Sequence, residues 1–69
     1  PDSSFSIVLN AANEEAIKLF EQNKIKFNEI IDVIKFAINN IKIIKIKNIQ
    51  EVYVVDQLVR NVVNNKYQK

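Results

Sequence analysis

Asn10-Ala11-Ala12-Asn13-Glu14-Glu15-Ala16-Ile17-Lys18-Leu19-Phe20 is the stretch whose reading decides the class of this chain. Ala12, Ala16, Leu19 and Phe20 recur at helical spacing, with Ile17 beside them, and Glu14, Lys18, Glu21 and Gln22 fall on the other side. That pattern is an amphipathic helix, predicted over Ala11–Gln22. Asn10 reads as its N-cap, with a side-chain oxygen able to accept from the free amides of the first turn. Glu14 and Glu15 then sit where the helix dipole favours negative charge, and Glu14 with Lys18 makes a favourable pair one turn apart. Ala12 and Ala16 admit a close neighbour. Asn13, an amide beside this stripe, is expected to be partly buried and to need partners, because an unpaired buried amide costs roughly 1 to 3 kcal/mol.

Upstream, Phe5, Ile7 and Leu9 alternate, so residues 1–9 read as an extended lead-in that packs across the body or adds to a sheet edge. Downstream, Asn23-Lys24 ends the first helix, asparagine being the best residue after glycine for a left-handed terminal position. Ile25 and Phe27 anchor the turn, and Asn28 reads as a second N-cap, opening a helix from Glu29 to about Asn39. Ile30, Ile34, Ala37 and Ile38 form its apolar face, widened by Ile31 and Val33. Its β-branched residues lower helix propensity, so it depends on packing. Residues 41–47 alternate in shifting phase and read as an extended connector. Asn48 with Glu51 fits a capping box, predicting a short helical turn to about Val54. Asp56 then caps or continues into a last helix bearing Val55, Leu58, Val59 and Val62, with an Asp56–Arg60 ion pair, ended by Asn64-Asn65. Residues 66–69 read as a polar tail and a natural terminus. The expectation is all-α: about three helices plus the lead-in, with residues 1–69 as one domain.

Composition excludes much. A chain of 69 residues buries only about 60% of the surface its unfolded form exposes, so its stability margin is thin and neighbours are expected to help. Without glycine, neither a dinucleotide turn nor a triphosphate loop can form. Without histidine, the common zinc sites and a Ser-His-Asp arrangement fall away. Without cysteine there is no disulfide staple or thiolate site, which fits a reducing compartment. A formal charge of +2 with no basic block is a poor nucleic-acid footprint, and no apolar run has the length of a membrane span or the order of a signal peptide. With proline rather than methionine at the first position, a fragment or processed product is expected.

The polar residues read as structural. Glu14 and Glu15 point about 100° apart on a helix and do not share a proton site, so they are surface charges complementing the dipole. Lys42, Lys45 and Lys47 are the solvated side of the connector. Tyr53 and Tyr67 lack the setting of a stacking platform. No catalytic, cofactor-binding or metal-ligating residue is assigned. The structural set is Asn10, Asn13, Glu14, Ala16, Asn28, Asn48, Asp56 and Arg60.

Four segments in order carry a family resemblance: Asn10-Ala11-Ala12-Asn13-Glu14, Ile25-Lys26-Phe27-Asn28-Glu29-Ile30, Ile49 to Val52, and Asp56 to Arg60. Together they resemble the C-terminal helical domain of the 1-deoxy-D-xylulose 5-phosphate reductoisomerases, over nearly the whole chain. The resemblance implies a structural bundle segment of a larger multidomain enzyme of the non-mevalonate isoprenoid pathway. That enzyme uses NADPH with Mg²⁺ or Mn²⁺ and is expected to be a homodimer of the cytoplasm, or of a plastid-type organelle in a eukaryote. The family's cofactor turn, metal ligands and phosphate contacts lie in earlier domains, so the implied partner of this chain is the catalytic domain, and the chain alone is expected to be inactive. Glu15 and Glu21 depart from the family pattern, standing where aliphatic residues are usual. A free-standing helical interaction module, docking through Ala12, Ala16 and Phe20, is the competing reading, and a small nucleic-acid binder is a third.

Overall fold

The computed structural model describes residues 3–68. Three helices pack side by side: α1 (Phe5–Glu21), α2 (Ile30–Asn40), preceded by a 3₁₀ turn (Phe27–Glu29), and α3 (Ile49–Tyr67). No strand occurs among the described residues, only an isolated antiparallel bridge between Ser3 and Lys45. The body measures 37 × 17 × 17 Å, about one long helix in length.

α1 starts well before Asn10. The expected extended lead-in is corrected: Phe5 to Leu9 are helical, and only Pro1 and Asp2 of that segment lie outside the described residues. The alternation of Phe5, Ile7 and Leu9 is incidental, because the buried positions Val8, Ala11, Ala12, Glu15, Ala16 and Leu19 keep helical spacing back into the segment. Ser3 Oγ accepts from the Phe5 amide at 3.1 Å. Ser4 is fully buried and faces the connector, its amide donating to the Ile44 carbonyl at 2.8 Å and its hydroxyl accepting from the Ile44 amide at 2.8 Å.

α1 ends in a Schellman motif. The Lys24 amide donates to the Leu19 carbonyl at 2.9 Å and the Asn23 amide to the Phe20 carbonyl at 3.0 Å, with Asn23 at φ 60°. Ile25 then turns into the core. Asn28 is not the cap of the next helix, since it lies exposed inside the 3₁₀ turn. The turn is closed by Glu29, whose carboxylate accepts from the Lys26 amide at 2.6 Å and whose own amide donates to the Lys26 carbonyl at 2.9 Å.

Val33 and Ala37 are the buried residues of α2, flanked by half-buried Ile30, Ile34 and Ile38. The helix stops at Ile41, which is extended at φ −114° and buried, while the Asn40 side chain covers the Phe36 carbonyl at 2.8 Å. Residues 42–47 form the connector. Asn48 begins α3, its side chain accepting from the Glu51 amide at 3.0 Å; Glu51 reaches back to the Lys47 amide at 2.7 Å.

From there α3 runs unbroken. Asp56 neither caps nor interrupts it, and Asn64-Asn65 do not end it, so Lys66 and Tyr67 of the expected tail are helical while Lys69 lies outside the described residues. Val55, Val59 and Val63 form one buried seam, and Leu58 is exposed rather than packed. Continuity follows from the seam itself: an apolar residue every fourth position repays each added turn, which outweighs the local preference of Asp and Asn for caps. The core gathers Val8, Ala11, Ala12, Ala16 and Leu19 of α1 with Val33 and Ala37 of α2, the α3 seam, Ile25 and Ile41.

Candidate functional site

The most concentrated chemistry in the molecule is a cluster of charges between α1 and α3. Arg60 projects from α3 toward α1 and uses every edge of its guanidinium. Nε donates to Asp56 at 2.9 Å and Nη2 to the other Asp56 oxygen at 3.0 Å, a forked contact one turn along the same helix. Across the interface, Nη1 donates to Glu15 at 2.9 Å and Nη2 to Glu14 at 2.8 Å. Asn64 Nδ2 donates to the second Glu15 oxygen at 3.0 Å, and Lys18 lies 3.5 Å from the first.

Glu15 is the centre of this cluster, with its side chain only 2% exposed. Burial alone would push its carboxyl pKa up, but the hydrogen bonds from Arg60 and Asn64 and the charges of Lys18 and Arg60 outweigh that and hold it below the ordinary carboxylate range. Arg60 is driven the other way, its pKa raised by hydrogen bonds to Asp56, Glu14 and Glu15. Asn64 Oδ1 is buried without a partner, so the amide serves Glu15 on one side only.

This cluster corrects the reading of Glu14 and Glu15 as dipole-complementing surface charges. With α1 starting at Phe5 they sit mid-helix, beyond the reach of the N-terminal dipole. Glu14 is exposed but tied to Arg60, and Glu15 is buried. Burial of Glu15 could have been suspected from the apolar helical spacing of positions 8, 11, 12, 15, 16 and 19, with Arg60 and Asn64 as the only side chains on α3 placed to answer it.

Asp56 and Arg60 do meet, within the cluster. Ala16 is fully buried in the core. Asn48 caps α3. Asn10 is an exposed mid-helix residue whose amide lies 3.4 Å from Glu14. Asn13 is exposed, not partly buried, because it falls on the side of α1 away from α3; with Ser6, Leu9, Asn10 and Ile34 it lines a shallow groove between α1 and α2. Lys42, Lys45 and Lys47 are exposed on the connector. Tyr53 is exposed, and Tyr67 is half-buried against the edge of the Phe36 ring, 5.9 Å between centroids. Its hydroxyl pKa is raised by burial and by the charges of Asp32 and Glu29.

Chemically the cluster is closed. General acid or base catalysis needs a carboxyl free to exchange its proton with a substrate, and here the three carboxylates converge on one arginine that already occupies the position a cation would take. Among the described residues no group of histidine, cysteine, aspartate and glutamate is arranged to hold a metal ion. What stands open is apolar: Phe5, Leu9, Ile17 and Phe20 on α1, Phe27 before α2 and Ile31 on it, and Ile49, Val54 and Leu58 on α3. Phe27 is 73% exposed and meets Phe20 edge to face at 5.8 Å, over a hollow of about 510 Å³ that residues 23–26 and Glu29 complete.

An all-α unit whose α1 and α3 are joined by a buried ion cluster, with uncovered apolar side chains on its surface, has the make-up of a packing domain. The comparisons with known proteins say of what. The chain belongs to the DXP reductoisomerase C-terminal domain family, whose model matches residues 2–62. It is 41% identical over 64 residues to the 1-deoxy-D-xylulose 5-phosphate reductoisomerase of Caldanaerobacter subterraneus, covering 93% of this chain and 17% of that protein. It is 33% identical over 60 residues to the enzyme of the same name from Clostridium novyi, covering 87% of this chain and 16% of that protein. The Francisella tularensis subsp. novicida enzyme is 42% identical over 60 residues, with the same two coverages. The chain thus spans about a sixth of the length of these relatives. No solved structure matches it.

Proposed function

We propose that this chain is the helical segment that buttresses the catalytic body of a 1-deoxy-D-xylulose 5-phosphate reductoisomerase. The parent enzyme rearranges and reduces 1-deoxy-D-xylulose 5-phosphate to 2-C-methyl-D-erythritol 4-phosphate with NADPH and Mg²⁺ or Mn²⁺, as a cytoplasmic homodimer. The observation that carries this reading is the family match over residues 2–62. Two features of the fold support it: the carboxylates are fully engaged by Arg60, and the aromatic pair Phe20 and Phe27 stands uncovered. The catalytic domain is the natural cover for such a face. The residues of this chain do not suit NADPH or the metal: the sequence has no glycine for a pyrophosphate turn, and its clustered acids Glu14, Glu15 and Asp56 are all tied to Arg60. No step of the reaction is assigned to this chain. No helix among the described residues is long and apolar enough to cross a membrane.

The experiment is a titration of NADPH into the chain alone at micromolar concentration, beside Phe27→Ser in the complete reductoisomerase. No binding is expected in the first, and in the second a parallel loss of turnover and melting temperature. NADPH binding by the chain alone, or a Phe27→Ser enzyme unchanged in both measures, refutes the reading.

A further inference from the structure

α1 and α3 run in the same direction, since Glu15 meets Arg60 and Asn64 while Gln22, two turns further on, meets Gln68 at 3.1 Å. Their apolar contact is repetitive. On α3 the seam is Val55, Val59 and Val63, the same residue every fourth position, in one core with Val8, Ala11, Ala12, Ala16 and Leu19 of α1. A row of identical valines has little shape to distinguish one turn of α3 from the next. If α3 moved by four residues toward its own N-terminus, about 6 Å at roughly 1.5 Å per residue, then Val59, Val63 and Tyr67 would occupy the places of Val55, Val59 and Val63. The first two are again valine, and the third sets an aromatic ring in place of a valine. The opposite shift would bring Glu51 into the seam, so it is excluded by burial of a charge.

We infer that the Glu15–Arg60–Asn64 cluster is a register lock, which selects the native one-turn alignment of α3 on α1 from an alternative that the apolar seam tolerates. In the native alignment the buried Glu15 carboxylate receives Arg60 and Asn64. One turn away it would face Asn64 and Gln68 in their places, with no cation from α3 to neutralise a carboxylate that is almost wholly buried. A buried charge without its partner is a large penalty, whereas a valine of the seam moved by one turn is replaced at two of three places by another valine. A polar group at a single core position sets alignment in coiled coils by the same logic. The Phe36–Tyr67 ring contact also belongs to the native alignment, but it lies at the last residue of α3. The lock acts within the unit and holds whichever protein covers its outer face.

Absence of cysteine from the sequence makes the test direct. Two double variants are made outside the Glu15–Arg60–Asn64 cluster, Gln22→Cys with Gln68→Cys, which reports the native alignment, and Lys18→Cys with Gln68→Cys, one turn back on α1, which reports the shifted one. Each is prepared with Arg60 intact and with Arg60→Met, and disulfide yield under mild oxidation is measured beside far-UV circular dichroism. With Glu15, Arg60 and Asn64 all in place, the 22–68 bond is expected to predominate at least tenfold. With Arg60→Met at unchanged helicity, the 18–68 bond is expected to rise to a yield comparable with 22–68. If 18–68 stays at background in the helical Arg60→Met protein, the valine seam sets the register by itself and the inference fails. It fails equally if Arg60→Met abolishes the helical signal, because the cluster then holds the fold together rather than selecting an alignment.

Discussion

Glu15 shows how a single position acquires its meaning from what surrounds it. A glutamate mid-helix is ordinarily a solvated charge, but here it lies in the buried row of α1 and is held ionised by Arg60 and Asn64. The two partners are unequal. Removing Arg60 leaves a buried carboxylate with only Asn64 and the exposed Lys18, whereas removing Glu15 leaves Arg60 still bound to Asp56 and Glu14. Arg60→Ala is therefore expected to lower unfolding free energy by about 3 kcal/mol and Glu15→Leu by about 1 kcal/mol or less, read by urea denaturation. Acid sensitivity follows from the lowered pKa of Glu15. A carboxyl whose folded pKa lies below its unfolded value of about 4.3 contributes stability above the unfolded value. That contribution is lost as pH falls through the folded one. Melting temperature is expected to hold between pH 5 and 7 and to fall below about pH 4. Glu15→Gln, with nothing to protonate, should flatten that fall, as a series of thermal melts would show.

At the scale of elements, two asparagines hold helix ends and a third, with the same local credentials, does not. Asn48 is extended at φ −159° and accepts from the Glu51 amide, so Asn48→Ala is expected to cost about 1 kcal/mol. Asn10, which local sequence presents as an equally good cap, is an exposed interior residue of α1, and Asn10→Ala should change stability by no more than about 0.5 kcal/mol. Asn23 sits at φ 60° in the Schellman turn, where a β-branched side chain is strained. Asn23→Val is expected to cost about 1 to 2 kcal/mol and Asn23→Gly little or nothing. Thermal melts of the four variants check the set, and an Asn10→Ala loss equal to that of Asn48→Ala would contradict the helix start at Phe5.

In the whole molecule, three helices surround one thin core while much of the outer surface of α1 and α2 remains apolar. Ala16 lies at the centre of that core with no exposed surface. In the complete reductoisomerase, Ala16→Arg is expected to lower melting temperature and turnover together, by forcing a long charged side chain into space sized for a methyl group. Lys18→Ala should do little, because its ion pair with Glu15 is long and exposed on the lysine side, a type worth about 0 to 1 kcal/mol. Assays of both variants for melting and turnover separate packing from chemistry.

Helical character was legible without coordinates because burial imposes the helical period on local sequence. Ala12, Ala16 and Leu19, the left-handed Asn23, the extended connector and the cap at Asn48 are all short-range features. The four ordered motifs also identified the family that the match over residues 2–62 shows. Boundaries were less legible, since Phe5, Ile7 and Leu9 satisfy a strand period and a helical one over so short a span, and only the packing of Val8 and Ser4 on distant elements chooses between them. The charge cluster was legible only in its part within α3. Asp56 and Arg60 are one turn apart and announce themselves, but Glu15 and Arg60 are joined across two helices whose alignment no local pattern encodes. Whether a carboxylate faces water or a guanidinium depends on where α3 lies against α1, and that is settled only when the folded chain brings the two helices together.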